Sequence, residues 1–167
     1  NRKLMKDSGI AIDEKEETIA GLEEKGNTVI IVAEGGKLKG LIAVADTLKE
    51  HSVDVVKGLK AEGVQVVMLT GDNERTAKAI ASKVGIDRVI ANVLPGDKSK
   101  VIKDLQAEGK VVAMVGDGIN DSPALAQADI GIAIGSGSDV AKETGGIILV
   151  SDDLRNVIRG IKLSRAT

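Results

Sequence analysis

The chain has 167 residues, enough for one domain or one domain with an appendage, and it carries 23 basic and 25 acidic side chains. This balanced charge and the absence of Phe, Tyr and Trp argue against a nucleic-acid partner and require an aliphatic core. The absence of cysteine excludes disulfides and thiolate metal sites within this chain, and no apolar run approaches the ~18 residues that a membrane-spanning helix needs.

The first part of the chain is predicted to form one helix and one β-hairpin. Residues Glu14–Lys25 have a thin apolar stripe and stop at a glycine, which indicates an exposed helix. Thr28–Ala33 and Lys37–Ala45 are strand-like runs separated by a Glu-Gly-Gly turn, which is typical of a hairpin. Because these elements supply little core, we expect residues 1–44 to be the remnant of a separate domain.

After Asp46 the pattern changes to alternating strands and helices, which is typical of parallel β-α-β units. The predicted elements are helix Thr47–Glu62, strand Val64–Leu69, helix Glu74–Val84, strand Arg88–Asn92, turn Pro95–Asp97, helix Lys98–Glu108, strand Val111–Val115, a short helix opened by Ser122-Pro123, strand Asp129–Ile134, a short helix capped by Asp139, strand Ile147–Val150 and a last helix capped by Asp152 or Asp153. In the first of these helices Val53, Val56 and Leu59 are predicted to share the apolar side. We therefore expect residues 45–167 to form an α/β domain with a mainly parallel sheet.

The stretch from Val111 to Gly135 carries the most distinctive pattern of the chain. A short β-branched run is followed by Gly-Asp-Gly, so that Asp117 and Asp121 stand just after a buried strand. In open α/β sheets ligands bind at this edge. The glycines let the backbone approach a phosphate, and the carboxylates can hold a hard cation. Taken alone, one Gly-Asp-Gly segment favours the interpretation in which the two aspartates merely cap turns.

A second predicted strand ends in a similar turn, Thr70-Gly71-Asp72. If the two strands run parallel in one sheet, Thr70 and Asp72 reach the same edge as Asp117 and Asp121, and Lys98 supplies a cation from the start of a helix. A hydroxyl, an ammonium and Mg²⁺-binding carboxylates on one edge are typical of phosphoryl transfer, in which the protein mainly positions groups and stabilises charge.

Three segments resemble the phosphorylation domain of P-type ATPases, which has a Rossmann-like haloacid-dehalogenase fold. They are MLTGDN at Met68–Asn73, LPGDK at Leu94–Lys98 and the long segment Val115–Glu143. NRKLM at the start, DTLK from Asp46 and IKLSRAT at the end are most similar to the heavy-metal-transporting subclass, especially copper pumps. The resemblance covers essentially the whole chain, and the long segment is its most specific part.

The resemblance implies that four residues bind the transferred phosphoryl group. Thr70 would hydrogen-bond this group, with Gly71 beside it in the same loop. Lys98 would neutralise the phosphoryl oxygens, and Asn120 would help to hold them.

The resemblance also implies Mg²⁺ and ATP as cofactors, with the nucleotide site largely outside this chain. Asp117 would be the protein carboxylate on Mg²⁺, and Asp121 would either bind Mg²⁺ or support its ligands. Asp72 would orient the loop that bears Thr70. Asp46 would lie at the hinge between the nucleotide-binding and phosphorylation domains.

One part of the family pattern is absent, because the phosphorylated aspartate lies in an Asp-Lys-Thr-Gly-Thr motif that this sequence does not contain. The strand that bears the motif would lie between Val64–Leu69 and Val111–Val115, so we expect a gap in the sheet that a second segment fills. The chain alone is then expected to be inactive. Its implied partners are the nucleophile segment, the nucleotide and actuator domains and the membrane helices of one pump, on the cytoplasmic side of the membrane, with a heavy-metal ion as substrate.

Two other functions remain open at the level of the sequence. One is a soluble phosphatase of the same fold, which would need its own nucleophilic aspartate. The other is a catalytically silent module that binds a partner. His51 is the only histidine, and in a polar helix it is predicted to be a solvated surface residue rather than a metal ligand.

Overall fold

The structure is a computed structural model that describes residues 1–45, 47–116, 120–134, 147–149 and 153–166. Within these ranges the elements are α1 Arg2–Asp7, α2 Asp13–Glu24, β1 Asn27–Glu34, β2 Lys37–Ala45, α3 Ser52–Ala61, β3 Val67–Leu69, α4 Glu74–Val84, β4 Arg88–Ile90, a 3₁₀ turn Pro95–Asp97, α5 Lys98–Ala107, β5 Ala113–Gly116, α6 Ser122–Gln127, β6 Ile130–Ile134, β7 Ile147–Leu149 and α7 Arg155–Ala166. None of the described helices is long and apolar enough to cross a bilayer. The predicted caps Asp139 and Asp152 lie outside the described residues, whereas Asp153 accepts a hydrogen bond from the Arg155 amide at 3.0 Å.

The N-terminal segment, residues 1–45, consists of α1, α2 and the predicted hairpin of β1 and β2. Gly35 and Gly36 form the two-residue turn with φ angles of +57° and +74°, the left-handed conformation that a type I′ turn requires. Met5, Ile19 and Ile31 form a small buried cluster between the helices and one face of the hairpin. The N-terminal segment thus has a core of its own, and its assignment to a separate domain stays a prediction.

The described strands of the remaining chain form two parallel sheets rather than one. β3 pairs with β4, and β6 lies between β5 and β7. The expected α/β fold is confirmed, and β3 does not pair with β5 in the described part of the chain. This break lies where the sequence predicts a missing strand.

A second core lies between α5, α6 and the strands β5 and β6, and it reaches the end of β3. Its buried members come from α5, β5, α6 and β6, and Leu69 at the end of β3 packs against them. α6 lies so close to β6 that a Cβ atom on Gly131 would stand 2.6 Å from the carbonyl oxygen of Leu125. A third cluster packs Val157 of α7 against Ile132 and Ile134 of β6.

The first helix after the hairpin begins later than predicted. α3 starts at Ser52 rather than Thr47, because His51 adopts a left-handed φ of +64° that cannot continue a helix. Its buried side chains are Val55 and Val56, whereas Val53 is 50% exposed. The prediction for Val53 was wrong because the packing of α3 on α4 and α7 selects the buried face.

Several predicted strands are shorter in the structure. β3 comprises only Val67–Leu69 and β4 only Arg88–Ile90, β6 begins one residue later than predicted at Ile130, and β5 begins at Ala113, so that Val111 is 82% exposed. A strand extends only where a neighbour supplies hydrogen bonds. The pairing of β3 with the three-residue β4 therefore limits its length.

Candidate functional site

The Thr70 loop follows β3 and is ordered by its own hydrogen bonds. The Thr70 hydroxyl donates to Oδ2 of Asp72 at 2.8 Å, and the Asp72 amide donates back to the Thr70 oxygen at 3.1 Å. The amides of Asn92 and Val93 donate to the carbonyls of Asp72 and Thr70, respectively. The loop therefore continues the β3–β4 pairing past the end of the strands, which holds Thr70 and Asp72 in one orientation.

Gly71 lies where two backbone segments approach each other closely. A Cβ atom at this position would lie 3.3 Å from the carbonyl oxygen of Val93. Such a contact is tight enough that the neighbouring backbone would have to shift. A side chain at Gly71 would therefore disturb the hydrogen bonds that position Thr70.

Helix α4 begins directly after this loop, and Asn73 caps it. The Asn73 side chain accepts from the Thr76 amide at 3.1 Å and donates to the Thr76 hydroxyl at 2.9 Å, which satisfies one of the free amides of the first turn. The hydroxyl of Thr76, fully buried, donates in turn to the carbonyl of Asn27 at 2.9 Å. The cap thus also ties β1 to the start of α4.

An ion pair that is largely shielded from solvent lies at the end of β5. The Lys98 ammonium, at the start of α5, lies 2.6 Å from Oδ1 of Asp121, and the two side chains are only 15% and 13% exposed. Asp121 precedes α6 but makes no capping hydrogen bond with its side chain. This carboxylate therefore pairs with Lys98 instead of capping α6, whereas Asp117, to which the capping alternative also applied, lies outside the described residues.

Gly116 leaves room for this ion pair. A Cβ atom on Gly116 would meet Oδ2 of Asp121 at 2.6 Å and its Cβ at 2.9 Å. Because the strand ends in a glycine, the Asp121 side chain lies against the backbone of β5 and reaches Lys98.

The structure thus brings the predicted residues together as two pairs, Thr70 with Asp72 and Lys98 with Asp121. No hydrogen bond or ion pair joins the two pairs within the described ranges. They border one core, however, since Leu69 precedes Thr70 and packs against the cluster that includes residues of α5 and β5. Asn120 is exposed next to Asp121. The predicted roles of Asp117 and Asp46 concern residues outside the described part of the chain.

The donors after β5 fit a magnesium ion in kind. Asp121 and Asn120 offer carboxylate and amide oxygens, which are the hard ligands that Mg²⁺ takes in proteins. Among the described residues no three His, Asp or Glu side chains form a metal-binding group. An ion here would therefore need further oxygen ligands.

A cluster of charges links the N-terminal segment to α4. Arg2 binds Glu23 at 2.6 Å and Glu16 at 2.8 Å, and Arg75 of α4 lies 3.3 Å from Glu16. Glu23 is 2% exposed, so its charge is balanced by guanidinium groups rather than by water. The hydrogen bond from Arg2 lowers the pKa of Glu16 below its usual value.

The sequence analysis missed three residues that support the candidate site: Thr76, Thr28 and Glu23. Asn is a preferred N-cap residue whose side chain accepts from an amide two or three residues further on, so the bond between Asn73 and the Thr76 amide was open to prediction. The contacts that Thr28 and Glu23 make span more than 40 and about 20 residues of sequence, respectively, and no local pattern indicates them.

Comparison with known proteins identifies the family of the chain and several relatives of similar sequence. The profile described as haloacid dehalogenase-like hydrolase matches residues 1–129. The chain is 55% identical to a probable copper-exporting P-type ATPase of Archaeoglobus fulgidus, in a match that covers 100% of this chain and 21% of that protein. It is 49% identical to copper-transporting ATPase 2 of Mus musculus, which it covers to 12%. The chain thus spans about a fifth or less of the length of these relatives.

Solved structures show the same relationship. A crystal structure of a zinc-transporting PIB-type ATPase in the E2.Pi state matches with a TM-score of 0.73 and 44% identity, over 93% of this chain and 26% of that one. The structure of a catalytic CPx-ATPase domain matches with a TM-score of 0.62 and 34% identity, over 79% of this chain and 53% of that domain.

Proposed function

This chain is a member of the haloacid dehalogenase-like hydrolase family, and from its likeness to copper-exporting P-type ATPases we propose that it is part of the catalytic unit of such a pump. It comprises the phosphorylation domain, residues 45–167, and the end of the nucleotide-binding domain, residues 1–44. In the whole protein, phosphoryl transfer from ATP through an aspartyl phosphate drives a heavy-metal ion, copper by similarity, across the membrane. The chain lies on the cytoplasmic side of that membrane.

The observation that carries this proposal is the presence of two pairs of polar side chains, Thr70 with Asp72 after β3 and Lys98 with Asp121 after β5. A hydroxyl in a hydrogen-bonded loop and a lysine held by a largely shielded carboxylate suit a phosphoryl-transfer site, since catalysis there rests on positioning and charge stabilisation. Identity along the whole chain to copper pumps favours this function over a soluble phosphatase or a silent binding module.

Thr70 and Lys98 act on the phosphoryl oxygens. The Thr70 hydroxyl, which donates its one hydrogen bond to Asp72 in the structure, donates it to a phosphoryl oxygen when the group binds. Lys98 keeps its place beside Asp121 and neutralises a second oxygen. Because the lysine is only 15% exposed, little water screens its charge. Gly71 lets the loop approach the group, and Asn120 donates its amide to it.

Mg²⁺ would be held by Asp117, with Asp121 as a further ligand or as the acceptor that orients Lys98. When bound, Mg²⁺ neutralises charge on the phosphoryl group and on its leaving group. Asp46 would act as the hinge between the two domains.

The nucleophilic aspartate comes from a segment outside this sequence, which contains no Asp-Lys-Thr-Gly-Thr motif. Its strand would lie between β3 and β5, which do not pair in the described structure. The partners of the chain are therefore this segment, the remaining nucleotide-binding domain, the actuator domain and the membrane helices.

The test is acid-stable phosphorylation by radiolabelled ATP with Mg²⁺. We expect no hydroxylamine-sensitive label on the 167-residue chain alone, and label on the natural polypeptide that contains it. In that polypeptide Asp117→Asn abolishes the label, whereas Asp104→Asn, at an exposed position of α5, preserves it. An acyl phosphate on the isolated chain, or full labelling of the Asp117→Asn protein, would contradict the proposal.

A further inference from the structure

Asp72 uses both of its carboxylate oxygens, and they bind different parts of the chain. Oδ2 accepts from the Thr70 hydroxyl at 2.8 Å, and Oδ1 accepts from the hydroxyl of Thr28 at 3.2 Å. Thr28 lies 44 residues away, at the beginning of β1 in the N-terminal segment. One carboxylate therefore joins the loop of the candidate site to a strand of the N-terminal segment.

The contact with Thr28 belongs to a ring that is closed by hydrogen bonds and by two pairs of residues adjacent in sequence. Next to Thr28, the carbonyl of Asn27 accepts from the buried hydroxyl of Thr76, and Asn73 binds that hydroxyl and the Thr76 amide. Asn73 follows Asp72 in sequence, so the ring returns to its starting point. Because Thr76 is fully buried, the bond to Asn27 is shielded from water and places the neighbouring Thr28 beside Asp72.

The ring matters for the position of Asp72, because a hydroxyl can donate only one hydrogen bond at a time. When the Thr70 hydroxyl donates to a phosphoryl oxygen, Asp72 loses the hydrogen bond at Oδ2. Thr28 continues to donate to Oδ1 in both situations. The Asp72 carboxylate then keeps one partner, and the Asp72 amide continues to hold the Thr70 oxygen at the position that the ligand needs.

We propose that Thr28 is a positioning residue for the phosphate-binding hydroxyl of Thr70, acting through Asp72. The start of β1 is thereby part of the support of the phosphate loop, and movement of the N-terminal segment relative to α4 changes the alignment of Thr70. This inference rests on the proposed function of the loop.

The charge cluster on the same helix indicates how the N-terminal segment is held for this purpose. Arg75, two residues after the loop's Asn73, lies within 3.5 Å of the buried Glu23 in α2. Lys83 at the other end of α4 donates to the carbonyl of Lys25 at 2.8 Å. Contacts at both ends of α4 thus align β1 with the Thr70 loop.

The experiment uses the catalytic unit of the natural polypeptide, which contains both this chain and the nucleophile segment. It follows the backbone amides of Thr70, Gly71 and Asp72 by NMR during titration with inorganic phosphate in the presence of Mg²⁺. The test variants are Thr28→Val, which removes the donor but keeps a good strand former, and Thr28→Ser, which restores the hydroxyl. Thr18→Val is the matched control, because Thr18 is an exposed threonine of the same segment that lies on α2 rather than on β1.

We expect Thr28→Val to shift the Thr70 and Asp72 amides and to weaken phosphate binding about two- to fourfold, the lower part of the range for one hydrogen bond. Thr28→Ser should return both measures toward wild type, and Thr18→Val should leave them unchanged. In an Asp72→Asn background the additional effect of Thr28→Val should shrink, because the two residues act through one interaction.

Two results would overturn the inference in different ways. A wild-type chain whose loop amides do not respond to phosphate refutes the phosphate-binding role of the loop, and with it the positioning role. A wild-type response that Thr28→Val leaves unchanged, or an effect of Thr28→Val that is equally large in the Asp72→Asn background, refutes only the role of Thr28.

Discussion

The contact between α6 and β6 leads to a strong prediction for Gly131→Ala. The added Cβ atom would lie 2.6 Å from the Leu125 carbonyl oxygen and 3.2 Å from its carbon. These are backbone atoms, so no side-chain rotation relieves the clash. Ordinary contact begins at 3.4 Å, so α6 and β6 must separate by about 0.8 Å.

Overpacking of this kind in a close-packed core costs about 1–3 kcal/mol. We expect about 2–3 kcal/mol here, because α6 begins directly after Asp121 and its displacement also stretches the contact with Lys98. With a urea dependence of about 2 kcal/mol per M, the midpoint of unfolding should fall by about 1 M. The measurement is equilibrium urea unfolding followed by far-ultraviolet circular dichroism.

Gly40→Ala is the matched control, because Gly40 also lies in a strand and a Cβ atom there would meet nothing within 4 Å. Its unfolding midpoint should stay the same or rise slightly, since alanine loses less backbone entropy than glycine. Equal midpoints for Gly131→Ala and Gly40→Ala would refute the close packing of α6 on β6.

Three further predictions concern charge and helix stability. Lys98→Met should destabilise the chain by about 2–4 kcal/mol in urea unfolding, because the largely shielded carboxylate of Asp121 then has no cation beside it. The double variant Lys98→Met/Asp121→Leu should recover part of this loss. A double variant that is no more stable than Lys98→Met would argue against the ion pair. The hydrogen bond from Arg2 lowers the pKa of Glu16 from 4.5, so their contact stabilises the fold fully above that pH, and this stabilisation is lost as the pH falls through the lower pKa of the folded state. Below pH 4.5 the melting temperature of Glu16→Gln should therefore depend less on pH than that of the wild type. An unchanged pH dependence would exclude this contribution. Gly160→Ala in α7 should raise the stability by up to about 1 kcal/mol, since a Cβ atom there meets nothing within 4 Å; a lower melting temperature would indicate a contact that the structure does not contain.

Much of the secondary structure was predictable because its signals are local. Helix α4 has the predicted bounds, and the hairpin turn at Gly35 and Gly36 follows from two adjacent glycines that tolerate positive φ. The apolar stripe of α4 also identifies its buried face, at Ala77, Ala81 and Val84. In each of these elements the signals lie within a few residues of one another.

The errors arose where a distant partner decides the local structure. The buried face of α3 turns toward α7, which lies about 100 residues further along the chain, so Val55 rather than Val53 enters the core. Likewise, Glu23 looked like one more charge on an exposed helix, yet it is 2% exposed beneath Arg2 and Arg75. No sequence window contains both partners of these contacts.

The sequence by itself determined the α/β class, the order of most elements and the residue types of the candidate site, because turn chemistry, apolar periodicity and the quoted motifs are properties of short segments. Only the tertiary structure decided which of those residues meet. The pairing of Lys98 with Asp121 depends on the approach of α5 to the end of β5, and the sharing of Asp72 between Thr70 and Thr28 depends on the docking of β1 against α4. The physical reason is that hydrogen bonds and ion pairs act over a few ångströms in space, so packing rather than sequence separation selects the partners.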